Sequence, residues 1–348
     1  MRILHVTECY EGGVRRAIET MVRLTPELEH FLLADGEHLG DSALEYSGTI
    51  PLAKGFIGRS AQVKAVAEDF EADLIHAHSS WAGAYARVGT VKTPVVYEPH
   101  CFVFDDPHRG RLLKWVYRKA EIAMGKNTAA VIALSPHERQ LAENVISREQ
   151  IVWLPNVPSI PTNSKAINRA DLIVPEIVMV GRLARQKDPL FFASVYESLK
   201  EKGIATKFTW IGDGETQYHK SLNDRGVEVT GWLNDIELVE RLSHASLYFH
   251  SASYEGFPLS VLDAAAAGLP VLARDLPSFR GFPVRTAANV EDAANKIVAY
   301  LRDPDVRNDF LTSNNELLTM MTPEAQRASL YRAYEIASRK RKEMLDCV

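Results

Sequence analysis

Short apolar runs bounded by polar turns alternate along this chain with longer stretches whose apolar residues recur at helical spacing. That alternation is the pattern of strand–helix–strand units around a parallel sheet. In the first half it predicts strands at Met1–Thr7, His30–Ala34, Asp73–His78, Pro94–Glu98, Ala130–Leu134 and Ile151–Leu154. Helices are expected between them at Arg15–Leu24, Ser60–Phe70, Ala82–Val88, Arg111–Lys126 and Pro136–Asn144. The second half restarts the pattern, with strands at Glu176–Val180, Lys207–Ile211, Val227–Thr230, Leu247–His250 and Val271–Ala273. Its helices are expected at Pro189–Lys202, Ile236–Ser243, Leu259–Ala267 and Val290–Leu301.

Between the halves, Pro158–Pro175 is rich in Pro, Ser and Asn and has no amphipathic period, so it reads as a linker. The expected organisation is an α/β chain of two doubly wound, Rossmann-like domains, residues 1–165 and 172–320, facing each other across a cleft. A last helix within residues 323–348 is expected to pack back on the first domain. In doubly wound sheets ligands bind outside the carboxyl ends of the strands, so the loops after strands are where chemistry is sought.

At 348 residues the chain is long for one core. Its composition, 46% hydrophobic and 24% charged, is that of a folded protein. A formal net charge of −5 gives no general attraction to nucleic acid, and no nucleic-acid partner is expected. Cys9, Cys101 and Cys347 have neither pairing nor metal spacing, which suits a reducing compartment. The opening MRILHVTECYEGG lacks the apolar core and cleavage site of a secretory leader. The most apolar later stretch, Leu259–Ala273, is interrupted by Asp263, Gly268 and Pro270. A cytoplasmic location, at most on a membrane face, is expected.

Two loops of the second half carry the strongest chemical signals. After the strand ending at His250 come Glu255-Gly256-Phe257 and then a helix starting at Pro258 or Leu259. The unpaired N–H groups and dipole of a helix start suit a diphosphate. Glu255 before the helix and Asp263 one turn into it can accept from neighbouring sugar or ribose hydroxyls. In MVGRLARQKDP, Gly181 leads to Arg182 and Lys187, a planar fork of donors and a compact point charge. Such cations can stabilise a departing nucleoside diphosphate without a metal.

The segment from Ser251 to Ala273 resembles the signature of retaining GT-B glycosyltransferases of family four, the glycosyl transferases group 1: a Glu, seven residues, then a second acid. The resemblance implies that Glu255 contacts the donor sugar and that the second acid binds the ribose. Here that acid is Asp263 in place of the usual Glu, shorter by one methylene. It implies further that Arg182 and Lys187 grip the donor diphosphate and that His100, after the strand in PVVYEPHCF, lies close to the reacting sugar carbon. Gly212-Asp213-Gly214 and Gly231-Trp232 fall where the family places the nucleotide base; Ser135 and Asn156 match family positions at the cleft and hinge. The glycine turn Gly12-Gly13 would let a phosphate or sugar approach the backbone, with Arg15 as a phosphate contact.

Together these imply sugar transfer from a UDP- or GDP-sugar to a hydroxyl acceptor with retention, in glycan, glycolipid or exopolysaccharide synthesis. A glycan or lipid-linked acceptor is expected; no cofactor and no metal are. Two other readings remain at this point, a nucleotide-sugar epimerase of the same fold and a non-catalytic nucleotide-sugar-binding protein. No dinucleotide fingerprint is complete, since Gln217 stands where the third glycine would be. Asp303-x-Asp305 has the spelling of a metal-binding acid pair but reads as a solvated turn. His76 and His78 share a strand face and lack a third ligand in sequence. Arg109–Lys126 is a basic helix with Leu112, Leu113, Trp115, Val116 and Met124; it fits either an anionic membrane surface or burial on the sheet.

Overall fold

The computed structural model describes residues 1–35, 46–161 and 174–346, with side chains described to Lys342. Most of the expected linker, 162–173, and Cys347 lie outside these residues. The chain divides into two compact units, Met1–Asn156 with Thr322–Val348, and Val157–Met321.

The first unit holds a seven-stranded parallel sheet. Its strands are β1 (Arg2–Thr7), β2 (Glu29–Ala34), β3 (Gly48–Pro51), β4 (Leu74–His78), β5 (Val95–Glu98), β6 (Ala130–Ala133) and β7 (Ile151–Trp153), in the order β3-β2-β1-β4-β5-β6-β7. The crossover helices are α1 (Gly12–Leu24), α2 (Phe56–Asp69), α3 (Ser80–Arg87), α4 (Arg111–Gly125) and α5 (Pro136–Ala142). β1, β4, β5 and β6 are buried almost throughout, as expected of strands covered on both faces.

The second unit repeats the architecture with six parallel strands: β8 (Glu176–Val180), β9 (Lys207–Ile211), β10 (Glu228–Val229), β11 (Leu247–His250), β12 (Val271–Arg274) and β13 (Arg285–Ala287). Their order, β10-β9-β8-β11-β12-β13, has the same reversal beside its first strand. Its helices are α6 (Pro189–Glu201), α7 (Thr216–Asp224), α8 (Asp235–His244), α9 (Leu259–Ala266), α10 (Val290–Arg302) and α11 (Pro304–Met320). Asp303 and Asp305 sit at the start of α11, where the Asp303 carboxylate accepts from the Asp305 N–H at 2.9 Å; they form a helix cap.

The last helix, α12 (Pro323–Asp346), belongs to the first unit. It buries Leu330, Ala333, Tyr334 and Ala337, one helical face by spacing. Gln326 donates to the Pro155 carbonyl at 2.9 Å, Arg327 pairs with Glu27 at 2.8 Å, and Lys340 donates to the Thr128 carbonyl at 2.7 Å.

The boundary between units falls after Asn156 and not at residue 165, because Val157–Ile160 is tied to the second unit. Ser159 donates to the Asp263 carboxylate from its backbone N–H at 2.6 Å and from its hydroxyl at 2.9 and 3.0 Å. Four elements escaped the sequence pattern: β3, β13, α7 and α11. The two strands are short edges carrying Gly48 and Pro51, or Arg285 and Thr286, and α7 and α11 are mostly polar.

Candidate active site

In the second unit the loops after β8 and β9 are locked together. Gly181 N–H donates to the Ile211 carbonyl at 2.9 Å, Leu183 N–H to Asp213 at 2.9 Å, and Gly212 N–H to Gly231 at 3.0 Å. A Cβ on Gly212, at φ +135°, would lie 2.2 Å from the Gly181 carbonyl oxygen. That glycine is therefore set by loop-on-loop packing. Gly231 is different: its φ is +73° and the space where a Cβ would project is open. Beside it Trp232 is 61% exposed, and its indole reaches within 3.5 Å of the Cβ position on Gly212.

The loop after β8 turns through Asp188, a non-glycine residue at φ +49°. Its carboxylate offsets that strain by capping α6 at Phe191 N–H (3.2 Å) and by pairing with Arg274 at 2.7 Å. This turn carries Lys187 to the loop after β11, where its ammonium bonds the Glu255 carboxylate. Further bonds sew the two loops together. Ser251 hydroxyl donates to the Lys187 carbonyl at 2.8 Å, Ser253 N–H to Gln186 at 2.8 Å, and Gln186 side chain to Tyr254 carbonyl at 3.1 Å.

Glu255 has a side chain only 8% exposed, and Lys187 19%. Burial works against the carboxylate, but the Lys187 charge and His250 overcome it and hold Glu255 near 2. His250 lies fully buried with Nε2 at 3.5 Å from Glu255 and Nδ1 at 3.0 Å from the Tyr248 hydroxyl. Burial lowers its pKa against the opposing pull of the Glu255 carboxylate. Tyr248 also reaches Ser260 in the first turn of α9 at 2.9 Å. Sequence reasoning missed Gln186, Tyr248, His250 and Ser260; Tyr248 and His250 have the i, i+2 spacing of one strand face, which was their only signal.

Helix α9 starts at Leu259 behind Pro258, with no side chain capping its first turn. Gly256 and Phe257 are buried, and Phe257 packs on Phe279 and Phe282 with ring centroids 5.7 and 4.8 Å apart. Arg182 is exposed and makes no hydrogen bond or ion pair among the described residues. Lys187 and Glu255 thus meet in the loop that leads into the helix start at Leu259. Asp263 stands apart from them in role: it is 2% exposed and its carboxylate is held by Ser159. The shorter acid serves as an anchor for the chain entering the unit.

In the first unit, Gly12 and Gly13 open α1 with nothing near either Cβ position, and Gly12 has φ +51°. Arg15 is paired with Glu19 at 2.8 Å. His100 (φ +52°) and Cys101 (φ +134°) sit in the left-handed region, which turns the loop after β5 sharply. The turn sets His100, its side chain 15% exposed, 3.3 Å from His78 Nδ1 and 3.4 Å from Glu98 Oε1. Glu98 and His78 are fully buried. Burial opposes ionisation of Glu98, and the imidazoles of His100, His76 and His78 overcome it and hold the carboxyl well below its usual range. Burial, then His76, pushes His78 down to about 3. The third partner absent from the sequence argument for His76 and His78 is the acid Glu98, one strand over in register with His78. Asn156 and Ser135 are both buried; Ser135 caps α5 by accepting from Glu138 N–H at 3.2 Å.

Helix α4 departs from the covering role of its neighbours. Its buried residues are Glu121 and Gly125, while Leu112, Trp115 and Val116 are 76%, 58% and 46% exposed. Arg111, Arg118 and Lys119 are exposed on the same helix. No helix among the described residues is long and apolar enough to cross a membrane.

The chain matches the family model for glycosyl transferases group 1 over residues 174–303 and that for the glycosyl transferase 4-like domain over residues 12–157. It belongs to the group 1 glycosyl transferases, enzymes of GT-B architecture with two Rossmann-like, parallel-sheet domains. It is 29% identical over 227 residues to an Escherichia coli UDP-Gal:alpha-D-GlcNAc-diphosphoundecaprenol alpha-1,3-galactosyltransferase, covering 59% of this chain and 58% of that protein. Among solved structures, a sucrose-phosphate synthase from Thermosynechococcus elongatus superposes with a TM-score of 0.76 at 16% identity, over 96% of this chain and 98% of the other. Anabaena Alr3699/HepE in complex with UDP-glucose superposes with a TM-score of 0.74 at 16% identity, over the whole of both chains.

Proposed function

We propose that this protein transfers a hexosyl group from a nucleoside-diphosphate sugar to a hydroxyl acceptor with retention at the anomeric carbon. The observation that carries the reading is the Lys187–Glu255 pair beside the uncapped start of α9. It offers, within one loop cluster, a cation for a diphosphate and an ionised carboxylate for sugar hydroxyls. Arg182, exposed and unpaired among the described residues, adds a second cation for the departing phosphate. Trp232 beside Gly231 offers a flat apolar surface for the nucleotide base.

In this reading the anomeric C–O bond to the diphosphate breaks as negative charge grows on the phosphate, where Lys187, Arg182 and the α9 amides stabilise it. The acceptor oxygen then bonds the same face of the anomeric carbon, and its proton passes to the departing phosphate oxygen. No protein nucleophile and no metal is required by that route. Glu255 orients the sugar. Asp263 is left to Ser159, so the ribose is held by other groups.

A lipid-linked acceptor fits the same chain. The exposed Leu112, Trp115 and Val116, flanked by Arg111, Arg118 and Lys119, suit the headgroup region of an anionic bilayer. Incubation with UDP-, GDP- and ADP-sugars, with and without a lipid extract and EDTA, tests the reading. Lipid-stimulated, EDTA-resistant release of nucleoside diphosphate from one donor is expected. Conversion of the donor with no acceptor dependence would indicate an epimerase, and nucleotide binding without release would indicate a binding protein.

A further inference from the structure

Four side chains of the first unit form one buried hydrogen-bonded row whose proton positions follow from its far end. The Thr25 hydroxyl donates to the Met21 carbonyl at 2.7 Å, so toward His30 it can only accept, as can the Thr25 carbonyl. His30 Nε2, 3.1 Å from both, must carry the proton. For neutral imidazoles the rest is forced. His30 Nδ1 accepts from His5 Nε2–H at 3.0 Å, and His5 Nδ1 accepts from His78 Nε2–H at 3.0 Å. His78 Nδ1 is thereby left with a bare lone pair.

That lone pair faces the Glu98 carboxylate and the His100 ring. Glu98 Oε2 is 3.5 Å from His78 Nδ1, and His100 Nε2 is 3.3 Å from it. Glu98 Oε2 already accepts from His76 at 3.1 Å, while Glu98 Oε1 is buried without a hydrogen bond of good geometry. Two buried acceptors face each other at a distance too long for a hydrogen bond.

We propose that His78 Nδ1, Glu98 Oε2 and His100 Nε2 form a binding site for a borderline divalent cation of the zinc type. Ligand atoms bound tetrahedrally at about 2.0–2.1 Å lie about 3.3–3.4 Å apart, and the two separations from His78 Nδ1, 3.3 Å to His100 Nε2 and 3.5 Å to Glu98 Oε2, bracket that value. The three donor atoms lie within 4.8 Å of one another. Every proton is then placed. His100 Nε2 binds the metal, and its Nδ1–H faces Glu98 Oε1 from 3.4 Å. His78 donates its other proton to His5, and His76 braces the carboxylate, as outer partners of metal ligands do. The neighbouring trio His5, His76 and His78 also lies within reach of a metal, but there His78 Nε2 and His5 Nδ1 already share a proton. Access is from the His100 side, because His100 alone of the three is partly exposed. The left-handed turn at His100 and Cys101, costly for non-glycine residues, is what brings the imidazole onto the other two ligands.

Zinc at this place would hold His100 away from a donor sugar; that consequence rests on the transferase reading, and the binding claim does not. The test is binding itself. The full chain, stripped with EDTA, is titrated with Zn2+ against a chromophoric chelator, and Co2+ replaces Zn2+ to read the visible absorption of a four-coordinate site. One equivalent should bind, with affinity lowered at least tenfold in His100→Ala and in Glu98→Gln and unchanged in the surface control His244→Ala. Circular dichroism confirms that each variant is folded; His100→Ala, in a loop, keeps the test decisive should Glu98→Gln not fold. No binding by the native chain, or binding equally tight in His100→Ala, would overturn the proposal. Zinc binding without effect on sugar transfer would leave the site standing and remove only its link to His100's role.

Discussion

The Lys187 ammonium rests on the Glu255 carboxylate across 68 positions of sequence, and the acid is the more buried of the two. An ionised carboxylate in that setting depends on its partner, so the pair serves both folding and donor chemistry. Lys187→Ala should lower stability by about 1–3 kcal/mol in urea unfolding, the penalty for a buried group left unpaired. It should lower sugar-transfer kcat by about 10²–10³, the usual cost of losing a donor to developing charge. Glu255→Ala should impair transfer while leaving binding of the free nucleoside diphosphate nearly intact.

The pair also fixes an acid limb. Glu255 is held near 2 against an ordinary value of 4.5, so its ionised form contributes stability above pH about 4.5. That contribution is lost as pH falls toward 2 and below. A series of thermal melts between pH 6 and pH 3 should show a flatter decline for Glu255→Gln than for the native chain; equal slopes would contradict the assignment.

Glu138 has the opposite sign. Burial pushes its pKa up to about 8 despite the Leu134 N–H donated to it at 2.7 Å. Its neutral form is favoured in the fold, so its contribution is present below pH about 4.5 and lost as pH rises through 8. Glu138→Gln keeps the neutral shape and should raise Tm at pH 8 by a few degrees, about 2–4 °C per kcal/mol for a unit of this size. At pH 5 the two melts should nearly coincide.

Asp263 and Ser159 make a structural claim that nucleotide binding can check. Ser159→Ala should cost about 1–2 kcal/mol by removing the hydroxyl donor to a buried carboxylate, with nucleoside diphosphate Kd changed less than about twofold. A tenfold loss of affinity would return Asp263 to the ribose.

Helix α4 predicts a surface interaction. Leu112→Glu with Trp115→Glu should abolish cosedimentation with anionic vesicles without lowering Tm, because neither side chain is buried. Added salt should weaken the native interaction progressively.

Much of this was legible in sequence, and for a stated reason. β8, β9 and β11 are fully or nearly covered strands, and continuous apolar runs such as EIVMV and LYFH announce them directly. Glu255, Lys187 and the start of α9 follow strands, where doubly wound folds place ligands. What stayed hidden depends on contacts between distant segments. Nothing near Asp263 in sequence shows that Ser159, 104 positions away, takes its carboxylate. The same holds for Glu98, whose neighbours His76 and His78 lie on the adjacent strand. The apolar residues of α4 have the composition of a covering helix, and only the fold shows them uncovered.

The central claim is that Lys187, beside Glu255, receives the donor diphosphate. The most direct measurement is calorimetric titration of the native chain and Lys187→Ala with a nucleoside diphosphate and with the corresponding nucleoside. The account predicts that Lys187→Ala weakens diphosphate binding by about tenfold or more and leaves nucleoside binding unchanged, a charge-assisted contact to phosphate being lost. Equal diphosphate affinity in the two folded proteins would contradict it.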